Sequence, residues 1–191
     1  MKLIKTKIAG VYIIKNSPFK DCRGSFTRLF CEKEIEKKTK FKLKQSNLSF
    51  NKSKYTLRGF HYQTGKFSEK KILKCIKGKI FDIVVDLRKN SPTYKRYISF
   101  ILDDKNNKSL LLPKGCANAF LTLANNSIIL YYTNNFYNKN FEKGLRFDDP
   151  NFKFKWPKVP RVISKKDMGY KDFKKLIWAG QEKQKNTQEL I

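Results

Sequence analysis

What most limits the folds open to this chain is a series of short apolar segments, each closed by a turn signal, recurring at roughly ten-residue spacing between residues 55 and 133. Strand-like runs occupy residues 55–63, 71–76, 80–87, 97–102, 109–112, 118–123 and 128–133. Between them stand Lys77-Gly78-Lys79, which reads as a tight hairpin-like turn, then Arg88-Lys89-Asn90-Ser91-Pro92, Asp103-Asp104-Lys105-Asn106-Asn107 and Pro113-Lys114-Gly115. Glycine supplies positive φ, and Asn, Asp and Ser bond their own backbone, so such clusters end strands. Segments this short leave no room for βαβ units, and there is no G-x-G-x-x-G string. The pattern implies an all-β sandwich or barrel and argues against a doubly wound dinucleotide fold.

The flanks extend the same reading. Residues 1–14 carry a β-like pattern through Ile8, Val11, Tyr12, Ile13 and Ile14. Asp21-Cys22-Arg23-Gly24-Ser25-Phe26 is a turn leading into a strand expected over residues 26–30. Residues 32–40 are charged without strong periodicity and read as a short helix or exposed loop, and residues 41–50 resume a strand. Beyond residue 150 Trp156-Pro157 and Pro160 break regularity, a short peripheral helix is expected over residues 171–179, and the residues after Gly180 are polar. At 191 residues the chain can bury its own core, so one domain over residues 1–180 with a polar tail at 181–191 is expected.

The formal charge of +27 suits nucleic acid, anionic lipid or a phosphorylated small ligand. The lysines are dispersed, however, and Lys, Asn, Ile and Phe are all heavily used, as AT-rich coding would produce. With no clustered basic stripe and no aromatic string of the kind RNA-binding sheets carry, nucleic acid is not expected as a partner. No apolar run reaches the roughly 18 residues of a membrane span, and the start lacks a signal-peptide pattern, so neither membrane nor export is expected. Cys22, Cys31, Cys75 and Cys116 form no C-x-x-C pair. They read as free thiols of a cytoplasmic protein.

Chemistry concentrates in Leu57-Arg58-Gly59-Phe60-His61-Tyr62-Gln63, which holds the only histidine of the chain. Imidazole is the side chain that takes and returns a proton near neutral pH, so His61 is the natural general base. A lone histidine is more often a bland residue. Its setting in a strand-like alternation, beside Arg58 and ahead of Lys70-Lys71, raises this one. One histidine also cannot build the two- or three-imidazole ligand sets of metal-dependent β-barrels within one subunit.

Several segments, in order, carry a family likeness: Asp21-Cys22-Arg23-Gly24-Ser25-Phe26, Gln45-Ser46-Asn47, the His61 string, Lys71-Ile72-Leu73-Lys74, the stretch from Gly78 through Val85-Asp86-Leu87-Arg88, Ser91-Pro92-Thr93, Pro113-Lys114-Gly115, Leu130-Tyr131, Phe147-Asp148-Asp149-Pro150 and Ile163-Ser164-Lys165-Lys166-Asp167. Together they resemble the dTDP-4-dehydrorhamnose 3,5-epimerases over about residues 8 to 170. The resemblance implies a cupin-type jelly roll, usually a homodimer, using no metal and no cofactor. Its substrate would be a nucleotide-diphosphate 4-keto sugar, inverted at carbons flanking the ketone. Those C–H bonds are acidic because the carbanion delocalises into the carbonyl. The reaction therefore needs a base on one face, a proton donor on the other and positive charge at the developing oxyanion.

The resemblance distributes these roles. His61 matches the base, Asp167 its carboxylate partner, Tyr131 the opposing proton donor and Lys71 the cation beside the keto oxygen. Arg23 and Arg58 match positions that hold diphosphate or sugar, which the planar guanidinium fork suits. Gln45, Asn47 and Tyr137 match further ligand contacts. From the residues alone Asp167 is a surface acid beside two lysines, Lys71 one lysine among many, and Tyr131 a strand aromatic with Tyr132 as an equal neighbour.

Two departures set expectations of their own. The family usually reads A-H-G-F after the Pro-x-Gly turn, whereas this chain has Ala117-Asn118-Ala119-Phe120. Asn118 can hydrogen-bond but cannot serve as a base. Thymidine-using members carry Glu where this chain has Arg28, which points to another nucleotide such as GDP, carrying a hexose or a longer heptose as in capsule pathways. Two rival readings remain: 3,4-ketoisomerisation on the same fold, and a non-catalytic carbohydrate-binding β-module.

Overall fold

Alternation along single strands explains the layers. In β8 (Lys79–Asp86), Ile80 and Val84 pack into one buried cluster while Ile83 and Val85 pack into another. Successive side chains of a strand point to opposite faces, so a strand buried on both faces reads as the continuous apolar run seen in the sequence. The computed structural model of the protein describes residues 1–173. The tail at 181–191, the end of the expected domain at 180 and nearly all of the helix expected over 171–179 lie outside the described residues.

Among the described residues, eleven of the thirteen strands form two antiparallel sheets. The 6-stranded sheet runs β1-β2-β10-β7-β12-β5, built from Lys2–Lys5, Tyr12–Lys15, Lys108–Leu112, Lys71–Lys77, Ser127–Thr133 and Gln45–Asn51. The 5-stranded sheet runs β13-β6-β11-β8-β9, with β13 at Glu142–Gly144, β6 at Leu57–Gln63, β11 at Cys116–Thr122 and β9 at Tyr97–Asp103. The chain crosses repeatedly between sheets, as in a cupin-type jelly roll. Leu73, Cys75, Val84, Leu102, Leu110 and Ile129 fill the space between them. On the outer face of the 5-stranded sheet Phe60, Ile83 and Ala119 are covered by Phe152, Phe154 and Trp156.

The outer face of the 6-stranded sheet is covered by α1 (Glu32–Thr39). Glu32 and Glu34 in its first turn and Lys37 and Lys38 in its last complement the helix dipole, and buried Ile35 packs on Ile14, Phe41 and Ile72. The charged stretch at 32–40 is thus a helix with one apolar anchor.

Two local expectations are corrected. Lys77-Gly78-Lys79 is not a hairpin, because β7 and β8 lie in different sheets. Gly78, at φ 81, turns the corner between them, with its N–H donating to Asp104 Oδ2 at 2.9 Å. No strand spans 26–30. Instead β3 (Phe19–Asp21) and β4 (Gly24–Phe26) form a two-stranded hairpin whose pairing ends at Phe19↔Phe26. Asp21 Oδ1 accepts from the Arg23 N–H at 2.9 Å and closes the turn.

Candidate active site

Between the sheets, at one end of the sandwich, lies a cavity of about 560 Å³. His61 and Asn118 reach it from the 5-stranded sheet, where they are direct cross-strand neighbours. Tyr131, Asn47, Gln45 and Lys71 reach it from the 6-stranded sheet. Tyr131 pairs with Asn47 on β5 and Leu73 on β7, and Thr133 pairs with Gln45 and Lys71. Residues paired across neighbouring strands share a face, so the ligand-facing row follows from register. His61 and Tyr131 thus stand on opposite walls of one space.

His61 is oriented from behind. Its Nε2 lies 2.7 Å from Asp167 Oδ1, and the other carboxylate oxygen accepts from the Gly59 N–H at 3.2 Å. Asp167 is in α2 (Lys165–Met168), where Ser164 Oγ accepts its N–H at 3.0 Å. The segment before α2 docks on β6 through the Leu57 N–H, which donates to the Val162 carbonyl at 2.8 Å. That docking brings two residues 106 positions apart into contact. Burial pushes the Asp167 carboxyl up, but the hydrogen bond and charge of His61, the Gly59 amide and Ser164 outweigh it and hold it below its ordinary value. With Nε2–H given to this carboxylate, Nδ1 is the nitrogen left to take a proton.

Gly59 makes the approach possible. At φ 110 it occupies backbone space that disfavours side chains, and a Cβ there would fall 2.5 Å from the Asn118 carbonyl oxygen.

Tyr131 is half-buried. Burial raises its phenol above the ordinary value, Glu69 and Glu142 add to the rise, and Arg58 opposes it. A phenol held protonated is suited to donate. Lys71 Nζ lies 5.8 Å from the Tyr131 ring centroid, 3.8 Å from Glu69 Oε1 and 3.4 Å from Asn118 Oδ1. Arg58 lines the cavity with its Nε donating to Asn51 Oδ1 at 2.7 Å. Tyr137 also lines it. The Tyr137 N–H donates to Gln45 Oε1 at 2.6 Å and its hydroxyl to Glu142 Oε2 at 2.7 Å.

Gln45, Asn47, Arg58, His61, Lys71, Asn118, Tyr131 and Tyr137 therefore converge on one cavity, with Asp167 behind His61. Arg23 and Arg28 do not line it. Arg23 sits on the β3–β4 hairpin with its side chain 85% exposed and paired to Asp21, and Arg28 pairs with Glu34. Three acids went unread in the sequence. Glu69 and Glu142 line the cavity; Glu142 accepts from Lys166 Nζ at 2.6 Å, and burial holds Glu69 above the ordinary carboxylate value. Asp82 lies behind Asn118. Its signal was a charged residue inside the apolar run Ile80-Phe81-Asp82-Ile83-Val84. Among the described residues no group of three or more His, Cys, Asp and Glu could hold a metal ion.

The family model described as dTDP-4-dehydrorhamnose 3,5-epimerase matches residues 5–175. A dTDP-4-dehydrorhamnose 3,5-epimerase of Shigella flexneri is 35% identical over 174 residues, covering 91% of this chain and 96% of the relative. A crystal structure of dTDP-6-deoxy-D-glucose-3,5-epimerase from Legionella pneumophila, in complex with dTDP-4-keto-L-rhamnose, superposes with a TM-score of 0.84 at 30% identity, over 90% of this chain and 92% of that one. A 3′-monoepimerase from Streptomyces bikiniensis, in complex with dTDP-quinovose, superposes with a TM-score of 0.82 at 25% identity, over 87% and 85% of the two chains.

Proposed function

The chain belongs to the dTDP-4-dehydrorhamnose 3,5-epimerase family of isomerases, and from that premise we propose that it inverts C3, C5 or both in a nucleotide-diphosphate 4-keto sugar. One observation carries the reading: an imidazole backed by a carboxylate and a phenol face each other across a single cavity, with Lys71 on its wall. His61 Nδ1 removes the proton from a carbon next to the ketone. The electron pair moves into the carbonyl, and the enolate oxygen is stabilised by the Lys71 ammonium. Asp167 stabilises the imidazolium so formed. Tyr131 then delivers its hydroxyl proton to the opposite face of the same carbon, and solvent restores both groups. Arg58, Gln45, Asn47, Asn118 and Tyr137 hold the sugar and diphosphate.

The working unit is a homodimer in this reading. Arg23 and Arg28, matched by resemblance to ligand contacts, lie away from the cavity of their own subunit. The β3–β4 hairpin, which carries Arg23 and precedes Arg28, exposes Phe19 and Phe26, while β5, the edge strand beside the cavity, exposes Leu48 and Phe50. A second copy placing its hairpin there would bring both arginines to the ligand and cover these apolar side chains. Free thiols at Cys22, Cys31, Cys75 and Cys116 suit work in the cytoplasm. No helix among the described residues is long and apolar enough to cross a membrane.

For the carrier, Arg28 favours a nucleotide other than thymidine, with GDP the first alternative, and a hexose or heptose of surface-polysaccharide or capsule synthesis, while Asn118 in place of the family histidine bears on the sugar and on which carbons are inverted. Thermal shift against dTDP, GDP, UDP and CDP decides this, and stabilisation by dTDP alone overturns it. The reaction class is read by NMR of dTDP- and GDP-linked 4-keto sugars in D₂O. Deuterium entering beside an unmoved ketone, with inversion, is expected. A displaced ketone would establish the ketoisomerase, and binding without exchange the carbohydrate-binding module.

A further inference from the structure

Asp82 is fully buried, on the inner face of β8 between Ile80 and Val84. One carboxyl oxygen accepts from Asn118 Nδ2 at 2.9 Å and the other has no partner. A buried carboxyl with an unpaired oxygen is costly to keep, and burial pushes its pKa up to about 8 against the pull of Asn118 and Lys71. Such a residue is a poor choice for packing.

The neighbours indicate what it is for. Lys71 Nζ can only donate, so the Asn118 amide must turn its oxygen to Lys71 and its NH₂ away. Asp82 is the acceptor waiting for that NH₂. If the amide turned over, an N–H would face the ammonium and Asp82 Oδ2 would lose the Asn118 N–H it accepts. Lys71 also has a competing partner in Glu69 Oε1 at 3.8 Å. Asn118 is thus one of two acceptors that set where the ammonium points, and Asp82 sets which end of Asn118 is presented.

We propose that Asp82 is a positioning residue: by locking the Asn118 amide it aims the Lys71 ammonium into the cavity, where the keto oxygen of the substrate sits. This rests on the epimerase reading above. Loss of the lock frees the amide to rotate and lets Lys71 settle on Glu69, so the cation is lost where the oxyanion forms. Binding draws on Arg58, Gln45 and Asn47 and is little changed.

The test is a double-mutant cycle on the full chain, following deuterium incorporation into a 4-keto nucleotide sugar. Asp82→Ala and Asn118→Ala should each lower kcat about tenfold, with KM within twofold for Asp82→Ala and raised further for Asn118→Ala, which also loses a ligand contact. The double variant should be no worse than Asn118→Ala alone, because the two act through one contact. Asp82→Asn, whose amide oxygen still accepts from Asn118, should recover most of the rate. Asp82→Val, matching the apolar row, replaces Asp82→Ala if the latter does not fold. A folded Asp82→Ala or Asp82→Val with wild-type kcat overturns the proposal, as does a double variant whose loss is the product of the single losses. Failure of the wild-type chain to exchange any 4-keto sugar is a different result, and it removes the epimerase reading itself.

Discussion

Replacing Asp167 by Asn changes one atom and should disable the base. Asp167 uses both oxygens, one at 2.7 Å from His61 Nε2 and one accepting from the Gly59 N–H at 3.2 Å. In Asp167→Asn the Gly59 N–H still needs an acceptor, so the amide oxygen stays with it. The NH₂ then faces His61 Nε2, which must accept, and the ring proton moves to Nδ1, the atom required as the base. A hydrogen bond to a charged group contributes about 1.5–3 kcal/mol, and about 1.4 kcal/mol is tenfold in rate. Loss of the imidazolium's counter-ion alone therefore costs roughly 10–100-fold. With the tautomer reversed, the total should fall within the roughly 10²–10⁴-fold range of general-base catalysis, and KM should stay within threefold. The assay is direct because the chain has one histidine. A single ¹⁵N–¹H correlation spectrum reports its tautomer, and steady-state turnover reports kcat. Nε2–H still dominant in the variant, or kcat within threefold of wild type, would refute the argument.

Three further outcomes follow from burial and charge. The Asp86 carboxyl is pushed up by burial but held at about 2 by Arg88, Ser91 and Thr93. A depressed carboxyl stabilises above its unfolded value and loses this as pH falls through the folded one. Urea unfolding should show wild type exceeding Asp86→Asn by on the order of 2 kcal/mol at pH 5, the gap closing toward pH 2; a constant gap contradicts this. Asp82 has the opposite sign, since a carboxyl raised to about 8 keeps its proton in the folded state and costs stability as pH rises from about 4 to 8. Asp82→Asn should gain on wild type across that window, and a flat difference between pH 5 and 9 counts against the assignment. Gly59→Ala should lower stability by about 2–4 kcal/mol, because its Cβ meets the Asn118 carbonyl oxygen at 2.5 Å; an unchanged melting temperature would show that β6 and β11 separate easily.

The fold was legible where local chemistry and tertiary demand agree. Turn clusters ended the strands because their backbone bonds are local, and β8 announced its double burial through an unbroken apolar run. What the sequence could not settle was which strands pair. Lys77-Gly78-Lys79 has hairpin residues, yet Gly78 serves a corner between sheets. A positive φ satisfies either geometry, so the choice is made by distant packing. The strand expected at 26–30 failed for a related reason, since its partner β3 begins only at Phe19, which pairs with Phe26.

The same distinction runs through the site. His61 stands out through its uniqueness and its strand. Asp167 has no local mark, because it reaches His61 only when the segment at Val162 docks on β6. Likeness to the family selected it, and the geometry places it against the imidazole. Lys71 and Tyr131 are ordinary in sequence and become distinctive once register puts them on the inner face beside Gln45 and Asn47. Arg23 and Arg28, selected by likeness to the family, face solvent and pair with Asp21 and Glu34.

In the proposed mechanism two groups act from opposite faces of one carbon, and proton NMR in D₂O of wild type, His61→Asn and Tyr131→Phe with a 4-keto nucleotide sugar separates their roles. Wild type should exchange and invert. His61→Asn should do neither. Tyr131→Phe should still exchange the carbon-bound proton through His61 while returning it to the same face, so that deuterium enters without inversion. Exchange by His61→Asn at the wild-type rate, or full inversion by Tyr131→Phe, would contradict the two-sided mechanism.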